Sequence, residues 1–125
     1  MIIVSTYLGQ SAIHGLGVFA KEPIARGTKV WEYNSLFDLT FSEAEFAALP
    51  PSVREEIEVH LYQPETGGLL YYESTMGKYM NHHRDPNVDF TRIGTGWATR
   101  DIAAGEELTC DYRHFMAETD AIPYL

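Results

Sequence analysis

The stretch that decides the fold lies near the end of the chain and reads Arg100-Asp101-Ile102-Ala103-Ala104-Gly105-Glu106-Glu107-Leu108-Thr109-Cys110-Asp111-Tyr112. Ala104-Gly105 is typical of a turn, and residues 108–112 have the composition of a short strand. The strand ends on the phenol of Tyr112, with the carboxylate of Asp111 beside it. A tyrosine on a strand is more often a core residue than a catalytic one. The segments upstream therefore decide what this stretch means.

Short β-strands are predicted over most of the chain. They fall at residues 2–8, 18–20, 29–33, 69–73, 88–93, 97–100 and 108–112. A hairpin is expected around Gly94-Thr95-Gly96. The alternation of strands and helices that builds a doubly wound nucleotide-binding sheet is absent, as is its glycine fingerprint. The pattern predicts an α+β fold that is mainly β, with several small sheets.

Helical signals are concentrated in one insert, at about residues 42–62. Ser42 and Glu45 have the spacing of a capping box, and Ser52 and Glu55 repeat it. Pro50-Pro51 separates the two, because a residue before proline avoids the helical conformation. Two consecutive helices are predicted here, and a single helical turn is predicted at residues 77–83.

Composition limits the class of protein. Hydrophobic residues make up 45% and charged residues 22% of the 125 residues, which is typical of one folded domain, residues 1–125. The lone cysteine, Cys110, gives neither a disulfide framework nor a multi-cysteine zinc site within one chain.

Charge and hydropathy limit the partners. The net charge is −9, and nine Lys and Arg residues are too few to favour direct binding of nucleic acid. An acidic chain can attract a basic substrate, although acidity also serves solubility alone. The chain shows no signal-peptide pattern and no apolar run near the ~18 residues of a membrane span. We expect a cytoplasmic protein that does not act at a membrane.

Two further segments could bind a ligand. His14-Gly15-Leu16-Gly17 places two glycines around one residue, which lets backbone approach a ligand closely or simply forms a tight turn. The segment 81–87, Asn-His-His-Arg-Asp-Pro-Asn, offers amide and imidazole groups that suit an adenine edge or an amino-acid headgroup. A metal site of His82, His83 and Asp85 is disfavoured, because adjacent histidines rarely face one ion.

A thiol enzyme is an alternative. Cys110 with His114 is a candidate nucleophile and base. No helix N-terminus or strand-to-helix elbow is evident to activate the thiol, so this hypothesis is the weaker one.

Taken in order, these segments resemble the SET domain of protein lysine methyltransferases. The matching pieces are Gly15-Leu16-Gly17, Gly27, Glu32-Tyr33, the Asn81-His82 and Pro86-Asn87 pairs, and residues 100–112. The resemblance covers residues 11–113 and leaves a tail at 114–125. It implies a β-clip fold of small curved sheets with a short helical insert. A knot-like threading of the C-terminal segment would bring Asn81-His82 beside Asp111-Tyr112.

The resemblance also implies roles. S-adenosyl-L-methionine is the expected cofactor, held by the backbone around His14, Gly15, Leu16 and Gly17 and by Asn81 and His82. Tyr112 matches the catalytic tyrosine, and Tyr33 matches an aromatic residue of the lysine channel. No metal is expected. The expected substrate is a basic protein or peptide presenting a lysine. A non-catalytic module that binds lysine-rich peptides, or a methyltransferase acting on another group, is the alternative.

The chain departs from the family at places that bear on the product and on the channel. Cys110 stands where an aromatic residue often limits the number of methyl groups, and Phe90 stands where other members supply that aromatic. A roomy pocket that permits di- or trimethylation is the resulting hypothesis. The cysteine-rich zinc segment that helps to close the channel elsewhere is missing. The tail, with Phe115 and Tyr124, or the partner subunit of a homodimer would have to take its place.

Overall fold

The computed structural model describes residues 1–117 and arranges nine short strands into three small sheets. The strands are β1 Thr6–Gln10, β2 Leu16–Ala20, β3 Lys29–Glu32, β4 Asp38–Phe41, β5 Leu70–Glu73, β6 Asn81–His82, β7 Val88–Asp89, β8 Thr95–Ala98 and β9 Glu107–Cys110. The strand orders are β1-β2-β9-β6, β3-β8-β7 and β4-β5. The mainly β, α+β prediction is confirmed.

The last strand is inserted between two strands that lie far upstream. β9 pairs antiparallel with β2 through Val18 and Leu108, and parallel with β6. In the parallel pair, Asn81 faces Thr109 and His82 faces Cys110. This insertion brings the Asn81-His82 segment beside the end of β9, as the resemblance implies.

The second sheet contains the predicted hairpin in a shifted form. β7 and β8 pair antiparallel, with Val88 opposite Ala98 and Asp89 opposite Trp97. Gly94 has a φ of +74° and forms the turn, whereas residues 95 and 96 belong to β8. The positive φ requires glycine at the turn, and pairing with β3 recruits the next two residues into the strand.

The helical insert contains two short helices, and one of its two predicted capping boxes does not form. Helix α1, Glu43–Ala47, begins with the predicted capping box between Ser42 and Glu45. Helix α2, Pro51–Ile57, has no side-chain cap, so the Ser52–Glu55 box is wrong. Pro51 has a fixed φ and no N–H, which suits the first helical position, and the helix therefore begins one residue before the predicted box.

Two predicted elements change because of pairing elsewhere in the chain. The predicted 2–8 strand is divided, since Ile2 bridges Trp31 while β1 begins only at Thr6. The predicted helical turn at 77–83 is a 3-10 turn, Met76–Tyr79, followed by β6. β4 was not predicted; it is held by antiparallel pairing with β5.

The core lies between the first two sheets. Its side chains without exposed area come from both: Val18 and Leu108 from the first, and Val30 and Val88 from the second. Burial of such apolar side chains is the main stabilising term of a domain this small. Across residues 1–117, no helix has the length and apolarity that crossing a membrane demands.

Candidate active site

The turn at residues 11–17 lies at the surface, with residues 12–16 exposed. Gly15 has a φ of +49°, and a Cβ built there would meet nothing within 4 Å. The Ser11 amide donates to the Gly15 carbonyl at 2.8 Å, which closes the turn. Gly17 faces inward, where a Cβ would lie 2.5 Å from Glu107 Oε2. One glycine thus opens the turn to a ligand and the other lets it pack against β9.

Asn81 ties this turn to the parallel strand pair. Its buried side-chain amide donates from Nδ2 to the carbonyls of His14 and Leu16, each at 3.0 Å, and to Glu107 Oε2 at 2.9 Å. The turn and β6 are therefore held together by one side chain. The sequence placed both segments at the cofactor, and the structure brings them into direct contact.

His82 connects the same strand to Tyr112. The Tyr112 amide donates to His82 Nδ1 at 3.1 Å, and the two rings lie 5.3 Å apart. Burial lowers the pKa of His82, although the charge of Asp111 opposes the shift. The ring is accordingly neutral near pH 7, which is the form whose Nδ1 can accept this hydrogen bond.

Tyr112 is held at both ends. Its hydroxyl donates to the Met80 carbonyl at 2.8 Å, and it begins the 3-10 turn Tyr112–His114. Asp111 caps this turn by accepting from the Arg113 amide at 2.9 Å and the guanidinium at 2.6 Å. The hydrogen bond from Arg113 lowers the pKa of Asp111, which keeps the carboxylate charged. The phenol is thus fixed before any ligand arrives.

A cavity of about 700 Å³ opens on the other side of Tyr112. It is lined by Tyr33, Phe90, Cys110 and Tyr112, all singled out from sequence, together with further aromatic residues. The Phe90 ring packs edge-on against Trp31 at 5.5 Å and Phe115 at 5.4 Å. These contacts give the cavity an apolar wall close to the phenol.

The mouth of the cavity has its own aromatic contacts. Tyr33 is 43% exposed, and its ring packs edge-on against Tyr71 at 6.3 Å. Phe115, from the tail, packs on Tyr62 at 5.3 Å and Tyr112 at 5.9 Å. Part of the tail therefore packs at the cavity, while Tyr124 lies outside the described residues.

The predicted site residues fall into two groups. The turn at 14–17, Asn81 and His82 form one group, and none of them lines the cavity. Tyr33, Phe90 and Cys110 form the other. Tyr112 belongs to both, because it bonds His82 through its amide and borders the cavity with its ring. The two groups adjoin along the end of β9, because Cys110 also lies opposite His82 in the parallel pair and its Sγ contacts the Asn81 carbonyl at 3.8 Å.

The thiol and metal alternatives find no support in the geometry. Cys110 is buried, and this burial raises the pKa of its thiol, with the charge of Asp111 adding to the shift. A thiol held protonated is a poor nucleophile. His82 is buried against Tyr112 while His83 is exposed, so the two rings do not converge. Among residues 1–117, no group of three His, Cys, Asp or Glu side chains is arranged to hold a metal ion.

Two polar residues of the site were missed as such from sequence. Glu107 accepts hydrogen bonds from both Ser11 and Asn81. Asn87 is buried, and its amide bonds the Glu107 carbonyl and the Thr109 amide at 2.8 Å each. Glu107 lies in the 100–112 stretch and Asn87 in the 81–87 segment, both of which the sequence singled out. Their contacts become visible only once β9 is placed beside β6.

The sequence profile of the SET domain matches residues 15–113. This match covers most of the chain, from the glycine turn through the 3-10 turn that begins with Tyr112. The chain belongs to the SET-domain family.

Its relatives are histone-lysine methyltransferases. The H3 lysine-4 specific histone-lysine N-methyltransferase of Schizosaccharomyces pombe is 32% identical over 129 residues, covering 95% of this chain and 14% of that protein. Histone-lysine N-methyltransferase ash1 of Drosophila melanogaster is 32% identical over 112 residues, covering 82% of this chain and 5% of that protein. The chain thus spans only a small part of the length of the curated relatives it matches.

Solved structures share the fold. A chain of ctPRC2 in an autoinhibited conformation bound to S-adenosylmethionine is 26% identical, with a TM-score of 0.63. A humanized mutant of the Chaetomium thermophilum Polycomb Repressive Complex 2, bound to the inhibitor GSK126, gives the same two values. Each alignment covers 92% of this chain and 16% of the other chain.

Proposed function

We propose that this chain is a protein-lysine N-methyltransferase that uses S-adenosyl-L-methionine as its methyl donor. The position of Tyr112 carries the proposal, because its amide bonds His82 on β6, next to the Asn81 that holds the 11–17 turn, while Tyr112 also lines the aromatic cavity. The relatives named as histone-lysine methyltransferases support it, as does the neighbour bound to S-adenosylmethionine.

The turn and β6 fit the cofactor. The backbone of residues 14–17 is exposed at Gly15, where a side chain would find open space, and its carbonyls bond the Asn81 side chain directly. Backbone carbonyls and amides suit an amino-acid moiety, and the neutral imidazole of His82 suits an adenine edge. When bound, S-adenosylmethionine supplies an electrophilic methyl group on a sulfonium.

The cavity fits a lysine side chain. A free lysine amine has a pKa of about 10.4 and must lose a proton before it can attack. Aromatic side chains such as Tyr33 and Phe90 displace water from part of the cavity, and loss of water favours the neutral amine. Tyr33 at the mouth suits the methylene stem. Tyr112, whose hydroxyl proton points at Met80, can accept an amine N–H and orient the nitrogen for in-line attack.

A transfer assay with labelled cofactor tests this function. The protein is incubated with labelled S-adenosylmethionine and purified core histones, and labelled residues are located by mass spectrometry. We expect label on lysine side chains and none on the matched peptide in which that lysine is arginine. Label on another residue type, or none on any basic protein of a lysate, would contradict the proposal.

A cofactor-binding measurement distinguishes the non-catalytic alternative. A module that only binds lysine-rich peptides would show no thermal shift with S-adenosylmethionine, whereas binding to the folded state raises the melting temperature. We expect a shift that grows with cofactor concentration.

The substrate pocket supports more than one round of transfer. Cys110 is smaller than an aromatic residue, and the Phe90 ring has no hydroxyl to hold an amine. Both line the cavity beside Tyr112. We expect di- and trimethyllysine at long reaction times, measured by intact-peptide mass spectrometry. A product that stops at monomethyllysine would rule this out.

We also propose a homodimer, in which a second copy of the chain covers the rim of the cavity. Val59 is 75% exposed and Ile93 fully exposed, and both line the cavity. Apolar surface of this kind beside a site marks an interaction surface. Sedimentation should show a dimer that the Ile93→Glu variant converts to a monomer; a wild-type monomer at micromolar concentration would exclude the homodimer.

A further inference from the structure

Glu107 lies directly beneath the turn that faces the cofactor in the proposed function. Its carboxylate accepts from the Ser11 hydroxyl at 2.8 Å on Oε1 and 2.9 Å on Oε2, and from Asn81 Nδ2 at 2.9 Å. Gly17 leaves the space that the carboxylate fills. Two donors from separate segments of the chain therefore converge on one charged group of β9.

Ser11 passes this contact on to the backbone of the turn. Its hydroxyl oxygen accepts from the amides of Ile13 at 2.9 Å and His14 at 3.3 Å. Its own amide donates to the Gly15 carbonyl. The carboxylate of Glu107 thus stands at the base of a chain of hydrogen bonds that ends in the exposed backbone.

We infer that Glu107 is a positioning residue, which sets the turn at residues 11–17 for cofactor binding and acts through Ser11 and Asn81. The inference rests on the proposed function. In the same inference Asn81 also positions the turn, because its side-chain NH₂ group donates to protein acceptors, namely two carbonyls of the turn and Glu107.

The charge matters as well as the shape. A carboxylate offers acceptors on both oxygens, whereas an amide offers one acceptor and one donor group. In Glu107→Gln, an NH₂ group must face either Asn81 Nδ2, which is itself a donor, or Ser11 Oγ. Ser11 Oγ already accepts two amides and would have to turn its proton away. A glutamine with its oxygen at the Oε2 position keeps the bond from Asn81 but sets its NH₂ group against Ser11 Oγ, so the link to Ser11 weakens while the volume stays the same.

Glu106→Gln is the matched control. It makes the same chemical change one residue earlier, where the carboxylate accepts from the Ala103 amide instead. We expect Glu107→Gln to raise the calorimetric dissociation constant of S-adenosylmethionine about tenfold, equivalent to about 1.4 kcal/mol. Turnover at saturating cofactor should stay within about twofold, and Glu106→Gln should leave affinity unchanged. Unchanged affinity in Glu107→Gln, or an equal loss in both variants, overturns the inference.

Hydrogen exchange gives a readout that needs neither cofactor nor activity. In Glu107→Gln, the amides of Ser11 and Ile13 should exchange faster than in the wild type, while those of β8 should not change. A uniform increase over all three sheets would indicate global destabilisation and would contradict a positioning role.

If Glu107→Gln does not fold, Ser11→Ala tests the positioning role instead. It removes the hydroxyl that links the carboxylate to the turn and leaves β9 intact. We expect a similar loss of cofactor affinity, and little further loss when the two changes are combined, because both break one network. Wild-type affinity in Ser11→Ala overturns the inference. A wild-type protein that does not bind S-adenosylmethionine would instead refute the proposed function on which it rests.

Discussion

The two sides of Tyr112 are built in opposite ways. On the side of the 11–17 turn, Asn81 and Glu107 hold backbone in place through hydrogen bonds. On the cavity side, Phe90 and the rings around it hold one another by edge-on contacts. Hydrogen bonds are directional and fix a conformation, whereas aromatic packing excludes water with less directional demand. In the proposed function, the first suits a cofactor held in one position and the second suits a lysine side chain that has lost its water.

Loss of the phenol hydroxyl should have the largest effect, because Tyr112 serves both sides. In Tyr112→Phe we expect turnover to fall about a hundredfold or more, as for removal of one preorganised hydrogen-bonding group. The ring and the amide contact to His82 remain, so cofactor affinity should change less than about twofold. Steady-state kinetics and calorimetry measure the two. Tyr7→Phe, on β1 away from the site, is the control; turnover within twofold in Tyr112→Phe would refute its role.

A methyl group added beside Glu107, on the side of the 11–17 turn, should affect cofactor binding without affecting peptide binding. In Gly17→Ala the new Cβ would lie 2.5 Å from Glu107 Oε2, so the carboxylate must move. We expect the dissociation constant of S-adenosylmethionine to rise about tenfold, with the KM of the peptide unchanged. Gly9→Ala is the control, because its Cβ meets the rings of Phe19 at 3.1 Å and Tyr7 at 3.8 Å, which are side chains that can shift. An effect on peptide KM alone would contradict the separation.

Truncation on the aromatic side should give the complementary result. Phe115 contacts the rings of Tyr62, Phe90 and Tyr112, so Phe115→Ala opens the cavity wall. We expect a loss of about 2–3 kcal/mol in the free energy of unfolding and a several-fold higher KM for the peptide. Cofactor affinity should hold, and Phe115→Leu should recover most of the loss. Denaturant titration and kinetics measure these effects; weakened cofactor binding with unchanged peptide KM would be the opposite of what we expect.

The smallest effect concerns pH. Burial lowers the pKa of both His82 and His60 in the folded protein. As the pH falls, these histidines gain a proton first in the unfolded chain, at a pH of about 6.5. The free energy of unfolding is therefore at its full value above that pH and declines below it. Thermal unfolding between pH 8 and 5.5 should show this decline. His82→Gln should flatten it, while replacement of the exposed His83 should not; a melting temperature that rises on acidification would contradict the prediction.

Local chemistry made some of the fold predictable. The Ser42–Glu45 capping box forms as its spacing indicates, because a cap needs only residues within one turn of helix. The second box fails for an equally local reason, since Pro51 takes the first helical position. The strand at β5 and the hairpin of β7 and β8 follow from turn residues and β-branched or aromatic composition.

The site was less predictable, because its contacts join distant segments. Asn81 and His82 form a strand only because β9 lies beside them, whereas a helical turn was predicted over residues 77–83. Glu107 has an ordinary place in a strand by sequence, and its contacts with Ser11 and Asn81 span 96 and 26 residues. No local pattern can indicate partners at such separations.

By itself the sequence determined the class of fold and the place of the helical insert, and it indicated candidate site residues, because turn chemistry, capping and ordered motifs are carried by neighbouring residues. Only the tertiary structure decided that Tyr112 lies between His82 and the aromatic cavity, that Cys110 is buried, and that Glu107 bonds Ser11 of the turn. The physical reason is the insertion of β9 between β2 and β6. Long-range pairing sets which side chains meet, and hydrogen-bonding and burial then set what each of them can do.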